Sequence, residues 1–296
     1  MSQGSLPTVQ NNPKLNEVMI FDKPKGGIIK KWNHLYKTAS ELRKKKFQSA
    51  FVLHRSFTSA LIAWMAGIPE RIGLETQGRG FLLTVAIPLD ENLHRLDNNL
   101  RILAAADEKI QTNRPEYFPG NDIGSIVEEV KKFKGEKKLV VINPNGVWET
   151  KRWQVRKFAK LVEMLTNEIG AKVVIIGSQG DEERGAQVSS GNENVFDLTN
   201  RTSVDDLYRI MKMSDLVITN DSGPMHIAAC ANAKIISIFG PTDPRRCGPR
   251  CESPIILTGE AGCLGCYKKE CNDLICMKTL SIERVFEEAR EILKGL

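Results

Sequence analysis

The densest set of chemically capable side chains lies between Thr219 and His226, where Asn220, Asp221, Ser222 and Gly223 separate an apolar run from a run of small residues. Leu216 to Thr219 reads as a buried strand. The chain then turns through Asn220 to Gly223 and continues as a helix, with Asp221 or Ser222 as N-cap and Pro224 tolerated in the first turn. A strand that enters a helix through a glycine turn leaves backbone N–H groups at the helix start. Those groups and the helix dipole favour an anion, typically a phosphate. Asp221 adds an acceptor, and His226, biased toward its neutral form by the helix start, adds a donor. The chemistry expected here is the binding of a nucleotide-sugar diphosphate. An N-cap aspartate and a structural histidine are the plainer accounts of the same residues.

Other segments carry similar promise. Asn143 to Trp153 follows an aliphatic run and holds Asn145, Gly146, Thr150 and Lys151; Lys151 would set a point charge on a diphosphate. Gly177 to Glu183 is a second glycine turn after a strand. It is not G-x-G-x-x-G, so the dinucleotide fingerprint is absent. Asp181, Glu182 or Glu183 would accept from ribose hydroxyls, or simply occupy the first turn of a helix. Gly240 to Pro244 ends another strand, and Thr242 and Asp243 at its tip would line the cleft or merely make the turn. Cysteines fall at Cys263, Cys266, Cys271 and Cys276. Structural zinc, a redox-labile disulfide and plain packing all fit that spacing, which departs from the usual paired C-x2-C. No Walker A, H-E-x-x-H, G-x-S-x-G or EF-hand loop occurs.

The elements that must position these residues alternate in type. Val18 to Phe21 reads as a short strand, residues 30–46 as a helix, Ala50 to Leu53 as a strand, Thr58 to Ala66 as a helix, Arg71 to Gly73 as a strand and residues 91–107 as a helix. Thr112 to Asp122 is the linker candidate. Beyond it, strands at Lys138–Ile142, Lys172–Ile176, Val195–Leu198, Leu216–Thr219 and Lys234–Phe239 alternate with helices at Gln154–Glu168, 181–189, Val204–Met213 and after Ser222. Ser281 to Leu293 is the last helix. Continuous apolar strands alternating with helices signify parallel sheets covered on both faces, whose ligands bind at the carboxyl ends of the strands. A chain of 296 residues suits two such domains.

Composition narrows the class. No apolar run approaches the length of a membrane helix, and the N-terminus carries no secretory signal, so the cytoplasm is the expected location. The net charge of +6 points to an acidic partner. The run Arg43 to Lys46 is as well explained as the solvated end of a helix. Aromatic residues are too sparse to form a basic-aromatic stripe, which disfavours nucleic acid as that partner.

Taken together, Asn143–Trp153, Thr219–His226, Phe239–Pro244 and Cys263–Met277 resemble glycosyltransferase family 9, the lipopolysaccharide heptosyltransferases. Leu53–Ala60 and Arg71–Gly73 fit as well, and the cysteine tail is most similar to the branch of the second heptosyltransferase. The resemblance implies an α/β fold of two Rossmann-like domains facing across a cleft (GT-B type). The acceptor domain would span residues 1–117 and the nucleotide-sugar domain 118–296, with the last helix, 281–295, packing back on the first domain. It implies inverting transfer of heptose from ADP-heptose to a phosphorylated lipid A–inner-core acceptor. The reaction would take place in the cytoplasm, in peripheral contact with the inner membrane, and without a catalytic metal. Lys151 and Asp221 would be catalytic. Lys151 and the turn Asn220, Asp221, Ser222, Gly223 with His226 would hold diphosphate and sugar, supported by Asn145, Thr150 and Gly177. Asp181 and Glu182 would reach the ribose, and Thr202 would lie beside the adenine. Arg55, Arg71 and Arg79 are the candidates for acceptor phosphates. Family members begin with a strand and a Gly-Asp loop whose Asp is the proposed general base. The sequence ahead of Val18 shows neither, so about 50 residues of the pattern, and that base, have no counterpart here. A nucleotide-sugar binder without transfer, or an epimerase, are the alternatives.

Overall fold

The computed structural model describes residues 1–22, 24 and 26–295. The chain divides into two compact units. One comprises residues 1–6 and 15–113, the other residues 7–14 and 114–296.

In the first unit, α1 (Ile28–Lys44) leads to β1 (Ser49–Val52), α2 (Phe57–Met65), β2 (Glu70–Glu75), β3 (Val85–Pro88) and α3 (Arg95–Ala104). The strands form a parallel sheet in the order β1-β2-β3. One face is closed by Ala39, Val52, Ala60, Ala63 and Leu82, and the other by Ile72, Leu74, Ile87 and Ile102. The expected strand Val18–Phe21 does not form. A strand needs a ladder neighbour, and among the described residues this segment has none; instead the Phe21 N–H donates to the Met1 carbonyl and the Met1 amino group to the Met19 carbonyl. The Phe21 ring stacks on His34. Residues 91–107 shorten to α3, whose start is fixed by His94 Nδ1 accepting from the Leu96 N–H at 3.1 Å. Strand β3 was not expected: four residues ending in proline carry too little periodicity.

The second unit opens with α4 (Ser125–Lys134), also absent from the expected elements although Ile126, Val127, Val130 and Phe133 share one helical face. Then follow β4 (Leu139–Asn143), α5 (Val155–Glu168), β5 (Lys172–Ile175), α6 (Glu182–Ser189), β6 (Val195–Asp197), α7 (Val204–Met213), β7 (Leu216–Asn220), α8 (Gly223–Cys230), β8 (Ile235–Phe239), α9 (Pro244–Cys247), β9 (Ile255–Thr258), α10 (Ile275–Lys278) and α11 (Ile282–Lys294). All six strands are parallel, in the order β6-β5-β4-β7-β8-β9. Every residue of β4, β7 and β8 is buried, as strands covered on both faces must be. One face packs on α5 and α11 through Trp153, Phe158, Leu161, Leu165, Val285, Phe286 and Ala289. Thus α11 belongs to the core of this unit. The other face packs on α4, α7 and α8.

The topology fixes the position of the site. The register pairs Asn143 with Thr219 and Asn220 with Ile238, so the carboxyl ends of β4, β7 and β8 finish level with one another. Among the described residues, no helix is long and apolar enough to cross a membrane.

Candidate active site at the strand ends

Three side chains meet at the end of β7. Lys151 ends a single 3-10 turn, Glu149–Lys151. Its Nζ lies 2.7 Å from Asp221 Oδ2, and the two side chains are only 17% and 6% exposed. Thr242 Oγ1 donates to the same oxygen at 2.6 Å. The ammonium also sits 4.5 Å from the centre of the Trp148 ring, a favourable cation–π distance. Burying a charge is costly unless it is paired and hydrogen-bonded. Here Asp221 is held by Lys151 and Thr242, and its backbone N–H is tied to the Ile238 carbonyl at 3.1 Å.

The surrounding asparagines satisfy the strand ends. Asn143 Nδ2 donates to Thr219 Oγ1 at 3.1 Å and to Ser222 Oγ at 2.7 Å. Its Oδ1 accepts the Asn145 N–H at 3.2 Å. Asn145 Nδ2 reaches across to the Ile176 carbonyl at 3.1 Å. Asn220 Oδ1 accepts the Trp153 N–H at 3.1 Å, and its Nδ2 donates to the Asn145 carbonyl at 3.3 Å. Asn145 Oδ1 is buried without a partner, an orphaned acceptor of the kind found at functional sites.

Ser222 occupies the N-cap position of α8, but its side chain makes no capping bond. It turns away, accepting from Asn143 and donating to the Asn220 carbonyl at 3.1 Å. The helix start therefore keeps its N–H groups for another acceptor. A Cβ at Gly223 would meet nothing within 4 Å, so this end of the helix is open. His226 is exposed on the next turn.

Beside it lies a cleft of about 430 Å³, lined among others by Asn143, Asn145, Gly177, Asp181, Thr202, Ser222 and Gly223. That volume is in the range of small-ligand sites. Gly177 is needed at its wall: a Cβ there would lie 2.7 Å from Asn145 Nδ2 and 2.9 Å from Thr199 Cγ2. Asp181 and Glu182 are turned onto the glycine turn itself. Asp181 Oδ2 accepts from the Ser178 N–H and hydroxyl at 3.0 and 2.8 Å, and Glu182 accepts the Gly180 N–H at 2.7 Å. Thr150 is buried and donates to the Lys268 carbonyl at 2.9 Å, which ties the Lys151 turn to the cysteine loop.

The site residues named from the sequence leave out Leu207, and also Asn143 and Arg152 although both fall in the Asn143–Trp153 segment; all three line the cleft, and Thr242 reads from the sequence as either a cleft or a turn residue. The signal for Asn143 was present, since it is the first polar residue after the β4 aliphatics. Nothing in the sequence pairs Thr242 with Asp221, which lies on a different strand.

Two groups of expected site residues do not behave as expected. Arg79 is fully buried, donating from Nε to the Leu74 carbonyl at 3.0 Å and from Nη1 to the His54 and Ser56 carbonyls at 2.5 and 2.8 Å. Burial, then the charge of Arg55, pushes its guanidinium below the usual arginine value. Arg71 donates to the Leu82, Ile68 and Pro69 carbonyls. Arg79 is a brace of the first unit rather than a surface cation, and half-buried Arg71 spends its Nε and Nη1 on backbone carbonyls in the same way. The cysteines also separate. Cys276 is buried against the core beside Gly240, whereas Cys263, Cys266 and Cys271 are exposed, and all are free thiols. Among the described residues no group of His, Cys, Asp or Glu converges as a metal site would require.

Parallel α/β units with an open helix start at the strand ends are those of the GT-B fold class, in which such a helix start suits a phosphate. The chain belongs to glycosyltransferase family 9 (heptosyltransferase), whose family model matches residues 35–275. It is 28% identical over 253 residues to lipopolysaccharide heptosyltransferase 2 of Escherichia coli K12, covering 80% of this chain and 72% of that relative. It is also 28% identical over 285 residues to lipooligosaccharide heptosyltransferase 2 of Campylobacter jejuni serotype O:2, covering 88% and 80%. Among solved structures, E. coli ADP-heptose lps heptosyltransferase II superimposes with a TM-score of 0.79 at 23% identity, over 99% of this chain and 88% of that one. A family 9 glycosyltransferase from Veillonella parvula gives 0.81 at 21% identity, over 100% and 87%. At those identities the likeness speaks for the fold.

Proposed function

We propose that this glycosyltransferase moves heptose from ADP-heptose to the phosphorylated lipid A–inner core of lipopolysaccharide, with inversion, in the cytoplasm at the inner membrane surface. The observation that carries this reading is the buried Lys151–Asp221–Thr242 cluster set beside the uncapped start of α8 and the adjoining cleft.

The roles follow from charge. The donor diphosphate lies at the N–H groups of Ser222 and Gly223, within reach of His226. Its negative charge competes with Asp221 for Lys151. As Lys151 moves to the phosphates, the Asp221 carboxylate becomes an acceptor for sugar hydroxyls, kept in place by Thr242. As the anomeric C–O bond breaks, charge builds on the leaving ADP, and Lys151 with the helix start stabilises it; such preorganised electrostatics is usually the largest catalytic contribution. The ribose sits by Asp181 and Glu182 and the adenine by Thr202 and Leu207. Arg55 is the remaining candidate for an acceptor phosphate. The proton of the attacking hydroxyl must pass to a base outside this cluster.

The test is incubation with ADP-heptose and a lipid A–inner-core acceptor, followed by mass analysis of both. Acceptor gaining one heptose, with ADP released, is the expected result. A rise in Tm with ADP-heptose but no heptosylated product would overturn transfer in favour of a binder. Conversion of the donor sugar with no change in the acceptor would point to an epimerase.

A further inference from the structure

Helix α1 has two sides that the fold does not use in the same way. Of its residues only Ala39 is buried, and Leu42 packs partly against the small core of the first unit. Yet the helix carries Ile28, Ile29, Trp32 and Tyr36, which are 73%, 76%, 53% and 67% exposed. At about 100° per residue these fall within one arc of roughly 100°, continuing the core-facing side out into solvent. Trp64 on α2, 52% exposed, extends the same patch, and a groove of about 310 Å³ runs between it, Tyr36 and Arg43. Apolar side chains this large, gathered on one face, mark an interaction surface.

The charge around the patch chooses the partner. Lys30, Lys37 and Lys44 recur every seven residues and so form one line along the helix, beside the apolar arc. Arg43, at the groove, gives Nη2 to the Met65 carbonyl, Lys31 lies on another side of the helix, and Glu41 is the helix's one acidic residue. Among the described residues, Lys30, Lys31, Lys37 and Lys44 form no ion pair. A basic line beside tryptophan, tyrosine and isoleucine is the pattern of a helix lying in the plane of a bilayer surface. The aromatic rings sit at the headgroup level, the aliphatics enter the acyl boundary, and the lysine stems extend toward lipid phosphates.

We infer that α1, with Trp64, docks the protein on an anionic phospholipid bilayer. This rests on the proposed reading only for its purpose, bringing the enzyme to a lipid-anchored acceptor; binding itself requires neither donor nor acceptor.

The test is sedimentation of the full chain with vesicles of phosphatidylglycerol and phosphatidylethanolamine, and with vesicles of phosphatidylcholine alone. Binding is expected to the first, with a blue shift of tryptophan emission, and to weaken as salt rises. Ile29→Ala with Trp32→Ala should lower the partition coefficient about tenfold or more. A triple reversal, Lys30→Glu, Lys37→Glu and Lys44→Glu, should abolish the preference for anionic vesicles. These residues are exposed, so circular dichroism should be unchanged. Failure of the wild-type chain to bind, equal binding to both vesicle types, or a dimer in sedimentation equilibrium that the Ile29/Trp32 variant dissolves would each overturn the inference. With a deacylated, water-soluble acceptor, wild type and variant should transfer equally. Loss of transfer in both would count against the proposed function and leave vesicle binding to decide this one.

Discussion

Two basic residues placed after parallel strands meet opposite fates in this molecule. In the six-stranded unit, Lys151 points to a carboxylate beside an open cleft. In the three-stranded unit, Arg79 is consumed by backbone carbonyls and reaches no solvent. The difference lies in who satisfies the strand ends. Around β4 and β7, Asn145, Asn220 and Ser222 supply donors to the Ile176, Asn145 and Asn220 carbonyls, and Asn143 donates to the Thr219 and Ser222 hydroxyls. That leaves Lys151 and the helix start available for a ligand. Around β1 and β2 the Thr76 hydroxyl serves the Arg55 carbonyl, and Arg79 serves the Leu74, His54 and Ser56 carbonyls. A cation at a strand end becomes functional only where neutral side chains have already met the backbone's demand.

Exchanging the two cations for neutral groups should separate these roles. Lys151→Ala is expected to lower kcat by about 10²–10³, or roughly 3–4 kcal/mol, and also to lower Tm, because the buried Asp221 carboxylate is left with Thr242 alone. Steady-state rates on ADP-heptose with unaltered turnover would show that Lys151 is an ordinary buried ion-pair partner. Arg79→Met should lower stability and leave kcat of the folded protein nearly unchanged. It takes a donor from the Leu74 and His54 carbonyls, while the Ser56 carbonyl keeps the Ser59 N–H; at about 1–3 kcal/mol for each buried unsatisfied group, urea unfolding should lose about 2 kcal/mol or more. If the first unit unfolds at the wild-type urea concentration, Arg79 is not a brace.

Gly177→Ala tests the wall of the cleft, where the new methyl must displace Asn145 or Thr199. A loss of about 1–3 kcal/mol is expected, with weaker donor binding by calorimetry. Undisturbed donor affinity would remove Asn145 from the site. The smallest effect belongs to the opposite, structural end of β7. Burial alone raises the pKa of Asp215, but the Leu139 N–H with Lys138 and Lys134 outweighs it and holds the carboxyl below the usual aspartate value. A lowered folded pKa gives stability that is present above the unfolded value, about 3.9, and fades as pH falls below it. Asp215→Asn should therefore cost about 1 kcal/mol at pH 7 and progressively less in acid. A difference that does not shrink below pH ~4 would assign the loss to packing.

Much of the second unit was legible because its signals are local. The apolar runs at Leu139–Ile142, Val173–Ile176, Leu216–Ile218 and Ile235–Phe239 read as strands covered on both faces, and each is followed by a polar residue or a glycine. Strand β9 escaped notice because it is four residues long and lies beyond Pro254. The expected strand at Val18 failed for a non-local reason, the want of a neighbour to pair with.

The sequence by itself determined that two α/β units would be built and that Asn143, Gly177, Asn220 and Gly240 would stand at strand ends, since the two-residue and 3.6-residue periods are written along the chain. Tertiary structure alone decided which polar groups remain available. Ser222 could have capped α8, Arg79 could have faced solvent, and the cysteines could have converged. Each outcome depends on which donors and acceptors other elements bring within hydrogen-bond distance. Thr242 on Asp221, Asn143 on Ser222 and the His54 carbonyl on Arg79 are contacts across 21, 79 and 25 residues. Buried polar groups must be paired, but the choice of partner is made only when the strands have set their register.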